Sequence, residues 1–324
     1  MNPEEKYWIG FDLGGTKMLA AAFDPQFAIV ASKRKKTRGD QSVVTLERIE
    51  ALIRKLLEEN AIDVARIAGI GIGCPGPVEW QTGVVRVAVN LGWKDVPVGK
   101  FLSDKFGCPV AVLNDVDAGV YGEYRFGAGR GSRTALGIFP GTGIGGGCVY
   151  DGQILRGKNL TCMEIGHIMI TSSPRQGATA MTGTLESEAS RLAIAGEIAK
   201  LAYRGEAPSV LRNSGTDLSK LRSKAIAEAI KAGEKSVQTA LENAAQLIGY
   251  AVTNMVHLIG PDCVILGGGL VEAMPELFLR EVSKTAQQCV LPCYADTFRV
   301  TCAELGDNAA VMGAAGWIAK HVNP

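Results

Sequence analysis

The chain has 324 residues and a formal net charge of +1, with 34 basic against 33 acidic side chains, so nothing in its charge calls for nucleic acid or an anionic membrane. At this length about three-quarters of the extended surface can be buried, enough for one large domain or two. No charged-then-apolar leader and no run of about 18 apolar residues occurs, which predicts a soluble, cytoplasmic protein without membrane partners.

Eight cysteines (Cys74, Cys108, Cys148, Cys162, Cys263, Cys289, Cys293, Cys302) are scattered, mostly in apolar segments, as suits buried reduced thiols. The pair in "CVLPC" is weak evidence for a metal on its own. The 40 glycines exceed the usual share of about 7%. Because they cluster in short motifs, they point to turns that hug a ligand. The basic run Ser32 to Gly39 reads as a solvated strand end or turn.

In chain order, "YWIGFDLGGTKMLAAAFD" predicts strand, Gly-rich turn and strand, with Asp12 at the end of the first strand. "SVVTLERIEALIRKLLEEN" repeats apolar residues at three- and four-residue steps, an amphipathic helix. A short buried strand, "IAGIGIGCPGPV", is followed by the helix "VGKFLSDKFG", the strand "PVAVLND" and the helix "AGVYGEYRFG". Strands alternating with helices define an α/β fold. From "RTALGIFPGTGIGGGCVYDGQIL" the opening strand-turn-strand device recurs. After it come a long helix from about Ser236 to Ile259, the strand "CVILGGG", a helix after Gly269, the strand "TFRVTCAE" and a last helix from about Asn308. Two halves opening alike suggest an internal duplication facing a shared cleft, with the boundary between Asp115 and Arg130.

Two stretches, "GIGCPG" and "GTGIGG", satisfy the GxGxxG pattern of dinucleotide sites. Such a site must open a helix so that the pyrophosphate meets its N-terminus, whereas these run into "PV" and the strand-like "CVYDG". No GxxxxGK[ST] sequence occurs either. What remains is "DLGGTK" paired with "GTG" at equivalent points of the halves, and "GGG" after a third strand. Glycine lets backbone N–H groups approach phosphate oxygens, and a threonine hydroxyl adds a donor. Asp12, beside the first turn, is placed to hold a hydrated magnesium ion. A lone turn of this kind would be an ordinary hairpin connection; the combination favours a phosphate site.

This set resembles the ROK family of sugar kinases, bacterial glucokinases especially, within the actin-like ATPase superfamily. The resemblance covers nearly the whole chain: "GFDLGGTK", "GIGCPGPV", "VNLGW", "LNDVDAGVYGEYRFGAGRG", "GTGIGGG", "EIGH", "VILGGGL" and "LGDNAAVMGAA" stand in family order. It implies a two-domain α/β fold of the duplicated ribonuclease H-like type with an interdomain cleft that closes on sugar. The small domain would be residues 1–117, the large one 118–305, and a C-terminal helix at about 306–324 would pack back on the small domain. It also implies ATP and Mg²⁺ as cofactors, a small-molecule sugar as partner and a homodimer.

Residue by residue, the resemblance assigns Asp12, Gly14, Gly15, Thr16, Lys17, Gly141, Thr142, Gly143, Gly267, Gly268 and Gly269 to the nucleotide, with Asp12 on Mg²⁺. It assigns Gly76, Asn90, Asn114, Glu164, His167 and Glu186 to the sugar. Asp115 becomes the base that accepts the sugar hydroxyl proton. "ND" is more commonly a turn and helix cap, and here the flanking sequence favours the catalytic use. Asp117 reads as a first-turn helix charge, and His257 and His321 as ordinary core or surface residues.

One departure stands out. Family members carry CxCGxxGCLE after "EIGH", whose cysteines bind zinc with the histidine. Here those positions hold Gly177, Thr179 and Thr184, so no zinc site is expected. "TCMEIGH" also replaces the usual small residues before the motif, leaving N-acetylmannosamine, N-acetylglucosamine, fructose or mannose open as acceptors beside glucose. A sugar-sensing repressor is the alternative class, and the start of the phosphate motif by Gly10 predicts against it, since such repressors are expected to carry a DNA-binding domain ahead of that motif. A catalytically dead sugar binder is countered by the presence of every expected site residue.

Overall fold

A computed structural model describes residues 6–37, 42–177 and 180–322. Its contacts divide the chain into two compact units, one of 1–131, 148–163 and 304–324, the other of 132–147 and 164–303. Compared with the division expected at 117/118, the first unit also keeps residues 118–131, of which 118–126 lie on a helix, and residues 148–163. The physical reason is close packing of that helix on the C-terminal helix, described below. Among the described residues no helix is long and apolar enough to cross a membrane.

The first unit is built on a five-stranded sheet of order β3-β2-β1-β4-β8. Strands β1 (Tyr7–Leu13), β2 (Lys17–Phe23) and β3 (Ile29–Lys36) are antiparallel neighbours. After helix α1 (Ser42–Glu59), strand β4 (Ile67–Cys74) runs parallel to β1. Strands β5 (Val78–Glu79), β6 (Val84–Ala88) and β7 (Trp93–Val96) form a separate three-stranded sheet, which the sequence pattern did not reveal. Helix α2 (Val98–Phe106) leads to β8 (Val110–Asn114), parallel to β4, and helix α3 (Asp115–Phe126) follows without a gap.

Alternation along β1 sorts the core. Tyr7, Ile9, Phe11 and Leu13 face one side with the Leu46, Ile49, Leu52, Ile53, Leu56 and Leu57 stripe of α1. Trp8 faces the other side, where Val311, Ala315 and Ile318 of the C-terminal helix (Ala309–Val322) lie. That helix comes so close that a Cβ on Gly10 would stand 2.0 Å from the Val311 carbonyl oxygen, and one on Gly71 1.9 Å from that of Ala314. It also meets α3 at glycines: a Cβ on Gly313 would lie 1.8 Å from the Ala118 oxygen, and one on Gly122 2.2 Å from that of Ala309. These contacts bind α3 to the first unit.

The second five-stranded sheet has the order β11-β10-β9-β12-β13, made by β9 (Thr134–Pro140), β10 (Ile144–Tyr150), β11 (Gln153–Ile154), β12 (Cys263–Leu266) and β13 (Arg299–Cys302). β9, β12 and β13 are parallel. The helices of the second unit are α4 (Leu185–Ala189), α5 (Arg191–Tyr203), α6 (Pro208–Asn213), α7 (Ser223–Lys231), α8 (Lys235–Ile259), α9 (Gly268–Ala273) and α10 (Pro275–Cys289). Gly260, with φ +57°, ends α8.

No disulfide joins any of the eight cysteines, and their burial differs from expectation. Cys74, Cys148 and Cys263 are buried, Cys108, Cys162 and Cys302 are half-buried, and Cys289 and Cys293 are exposed. The last two sit at and just beyond the end of α10, outside the apolar stripe that buries Leu277, Phe278, Val282 and Ala286. The basic run falls on exposed β3, with Arg38 and Gly39 outside the described residues.

Candidate active site

In the first unit, the β1–β2 turn is closed by Gly14 N donating to the Lys17 carbonyl (2.9 Å), and the Thr37 hydroxyl donates to the Gly14 carbonyl (2.7 Å). Gly15, Thr16 and Lys17 are left exposed. The Lys17 ammonium pairs with Asp307 at 2.8 Å, and Arg34 holds the other oxygen of that carboxylate at 2.7 Å. These bonds, that from Lys17 first, keep the Asp307 carboxyl below its ordinary range. Asp12 behaves oppositely: burial outweighs the attraction of Lys17 and Arg34 and raises its carboxyl from 3.8 to about 6. Asp307 and Arg34 are additions that sequence reading missed, since no local signal connects positions 290 residues apart.

Asp12 pairs in register with Gly73 of β4, and Cys74 pairs with Asn114 of β8. With β4 between them, Asp12 and Asp115 stand at the C-terminal ends of parallel strands roughly 10 Å apart, two strand spacings. The Cys74 thiol is pushed well above its ordinary value by burial, then by the Asp115 and Asp12 charges. Open α/β sheets bind ligands at such strand ends.

Asn114 does serve as a helix cap, its oxygen accepting from Val116 N (2.9 Å) and Asp117 N (3.2 Å), so the capping role is not displaced by a site role. Its amide also donates to the Gly76 carbonyl (3.1 Å), tying β8 to the turn after β4. Gly76 has φ +87°, and a Cβ there would meet the Val87 oxygen at 1.9 Å, so no other residue fits. Asn90 is exposed, its Cβ 3.5 Å from the position a Gly15 Cβ would take. Asp117 is in the first turn of α3 as expected, and it is buried at 1% exposure. Its charge supports the Arg156 guanidinium against the burial that lowers it, and Arg156 is stacked between Trp80 (5.1 Å) and Trp317 (4.5 Å).

In the second unit, Gly141, Thr142 and Gly143 form a tight turn between β9 and β10, with Gly141 N donating to the Gly143 carbonyl (2.8 Å). Arg191 fixes it from α5, its backbone N–H donating to the Gly141 carbonyl (2.9 Å) and its guanidinium to the Thr142 hydroxyl (2.8 Å). Gly267 N donates to the Ile138 carbonyl (3.1 Å), and a Gly268 Cβ would lie 2.9 Å from the Pro140 oxygen, so both glycine turns share one end of the sheet.

Ile144 joins this turn to the expected sugar readers. Its N–H donates to Glu186 Oε2 (3.0 Å), while its carbonyl lies 2.2 Å from where a Gly166 Cβ would stand. Glu164 and His167 flank Gly166 in a short 3-10 turn. Glu164 is exposed, and the His167 Nδ1 is buried with no hydrogen-bond partner among the described residues. A cavity of about 300 Å³ is lined by Thr142, Arg175, Gly177, Glu186, Glu197 and Lys200.

The segment expected to have lost its zinc ligands is held without them. Gly177 N donates to the Met181 carbonyl (2.9 Å), Gly183 N to that of Arg175 (3.3 Å), and Arg175 lies 3.5 Å from both Glu188 and Glu197. The Thr184 hydroxyl caps α4 by accepting from Ser187 N (3.1 Å). Glycine offers no ligand and this hydroxyl is engaged, so Gly177 and Thr184 do not fit zinc; Thr179 lies outside the described residues. His257 and His321 have structural partners: His257 Nε2 accepts from Leu291 N (3.1 Å), and His321 Nδ1 lies 2.8 Å from the Trp317 carbonyl.

Two sheets of matching order, each with a glycine turn after its first strand, and carboxylates at the strand ends of one of them define the actin-like sugar kinase fold. Within it the chain belongs to the ROK family, whose model matches residues 8–321. It is 32% identical to a glucokinase of Halalkalibacterium halodurans over 98% of this chain and 96% of that protein. It is 29% identical to a xylose repressor of Caldicellulosiruptor bescii over 85% of this chain and 68% of that one. A crystal structure of a ROK family glucokinase from Streptomyces griseus, in complex with glucose and AMPPNP, superposes with a TM-score of 0.80 at 28% identity, covering 96% of this chain and 98% of that one.

Proposed function

We propose that the chain phosphorylates a hexose with ATP, converting glucose to glucose 6-phosphate. The observation that carries this reading is the pair of carboxylates, Asp12 and Asp115, at strand ends on either side of β4 in the sheet of the first unit. Its nearest support outside the chain is the likeness to the two glucokinases, one of them bound to glucose and AMPPNP. The likeness to a repressor leaves the ATP chemistry to rest on these residues.

Phosphoryl transfer to a sugar requires positioning, neutralisation of phosphate charge and a group to take the hydroxyl proton. Asp115 takes that proton, and Asn114, Gly76, Asn90, Glu164, His167 and Glu186 orient the sugar hydroxyls. The turns at Gly14 to Lys17, Gly141 to Gly143 and Gly267 to Gly269 receive the nucleotide. Asp12 is the residue that would hold Mg²⁺, which supplies neutralisation of the phosphate oxygens. A single desolvated carboxylate fits this hard, largely hydrated cation, whose charge would favour the ionised form.

A cytoplasmic homodimer with small-molecule partners, and neither nucleic acid nor zinc, completes the proposal. The test is a coupled ADP-release assay over a sugar panel, with glucose expected to give the highest kcat/KM. Absence of turnover with every hexose defeats the kinase reading. Metal analysis of the purified protein should find less than stoichiometric zinc.

A further inference from the structure

Glu123, on α3 two turns beyond Asp115, is entirely buried, at 0% exposure. A buried carboxylate is costly unless its lone pairs are filled. Here backbone N–H groups fill them: Ala128 N donates to Oε2 (3.0 Å), Glu304 N to both oxygens (3.0 and 3.1 Å) and Leu305 N to Oε1 (2.8 Å). Gly127 leaves room for the group, since a Cβ there would stand 2.1 Å from Oε2. Charge-assisted bonds of this kind are short and directional, so residues 304 and 305 are pinned to α3.

What they pin is the start of the turn that carries Asp307. Gly306–Asn308 form a 3-10 turn directly after Leu305, and Asp307 is the carboxylate that grips Lys17 and Arg34 at the first phosphate turn. Asp12 senses both Lys17 and Asp307. Helix α3 therefore bears the proposed base at one end and, further along, the anchor of the residue that orients Lys17.

We propose that Glu123 is a positioning residue for nucleotide binding, setting the Lys17 ammonium through residues 304 and 305 and Asp307. The proposal rests on the ATP-dependent reading above. In Glu123→Gln an NH₂ group replaces one acceptor and faces backbone donors, so the 304–305 segment should shift.

The experiment is a cycle of E123Q, D307N and the double variant, read by KM for ATP and for glucose and by calorimetric ATP binding. E123Q should raise KM and Kd for ATP about tenfold, as for one lost charge-assisted hydrogen bond, and leave KM for glucose within about twofold. The double variant should be no worse than D307N, because both changes act on one route. Effects that multiply in the double variant, or an equal rise in both KM values, would overturn the proposal. So would an unchanged ATP affinity in D307N, a half-exposed residue whose replacement leaves the core intact. Glu123→Asp, which keeps the charge but withdraws it by one methylene, replaces E123Q in the same cycle if the glutamine variant does not fold. If the wild type binds ATP but turns over no sugar, the kinase reading fails while the binding cycle still judges Glu123.

Discussion

The two five-stranded sheets share one order, β3-β2-β1-β4-β8 against β11-β10-β9-β12-β13, yet they carry different chemistry at corresponding ends. In the first, Asp12 follows the apolar run of β1 and Asp115 follows β8, so strand ends present carboxylates, and the turn is braced by the Lys17–Asp307–Arg34 ion pairs. In the second, the corresponding turns are Gly141 to Gly143, braced by hydrogen bonds of Arg191, and Gly267 to Gly269, whose Gly267 N–H donates to the Ile138 carbonyl. A duplicated scaffold thus splits the task. On the reading proposed above, one copy supplies charge, held in a desolvated setting where it acts strongly, and the other supplies backbone donors in glycine turns.

The sharpest way to break that comparison is at Asp115. Asp115→Asn removes the proton acceptor while keeping its shape, and general-base catalysis contributes about 10²–10⁴-fold. We expect kcat to fall by about a thousandfold, with glucose binding by calorimetry within about threefold of wild type. If kcat survives, the charge of the first sheet is not catalytic at this position, and the division of labour fails.

Asp12 gives the next largest effect and a test of sign. Its folded value, about 6, lies above the ordinary 3.8 because burial penalises the charge. A raised value means that the folded state binds the proton more tightly, so this group's contribution to stability is full below about 3.8 and is lost as pH rises through about 6. Relative to that acid limit, ionising the buried carboxyl costs the wild type no more than about 3 kcal/mol at pH 8. Asp12→Asn should melt a few degrees higher than wild type at pH 8, the gap closing as pH falls towards 4, while its activity with Mg²⁺ and ATP falls at least about a hundredfold. An unchanged gap between pH 8 and pH 4 would show that desolvation does not govern Asp12.

Sequence legibility follows the same division. Features written in consecutive residues were readable: the glycine turns, the α1 stripe, the length of α8 and the strand-end placement of Asp12. Helix α3 was placed too late because Asn114 starts it from outside the apolar pattern, capping while also reaching Gly76. Strands β5, β6 and β7 escaped because they are short and form a small sheet of their own, apart from the five-stranded ones. The bracing of the first turn was invisible for a stronger reason: Asp307 meets Lys17 across 290 residues, and Glu123 meets Glu304 across 181. Burial of Asp117 and exposure of Cys289 and Cys293 likewise depend on which neighbours arrive from elsewhere in the chain, which no local spacing encodes.

The smallest predicted effect falls on the second unit, at the residue that blurs the comparison. Glu186 is a carboxylate beside the backbone-donor turn, and its Oε2 accepts from Ile144 N (3.0 Å). It can act as a charge on the sugar or as a brace for the turn, and glutamine separates the two roles. In Glu186→Gln the amide oxygen can keep the Ile144 bond, so the brace persists, whereas a sugar hydroxyl loses a charged acceptor worth about 1.5 kcal/mol. The expected outcome is a KM for glucose about tenfold higher, with KM for ATP unchanged. A rise in KM for ATP instead would mean that the charge itself holds the Gly141 to Gly143 turn in place, and the second unit would then rely on electrostatic bracing as the first does.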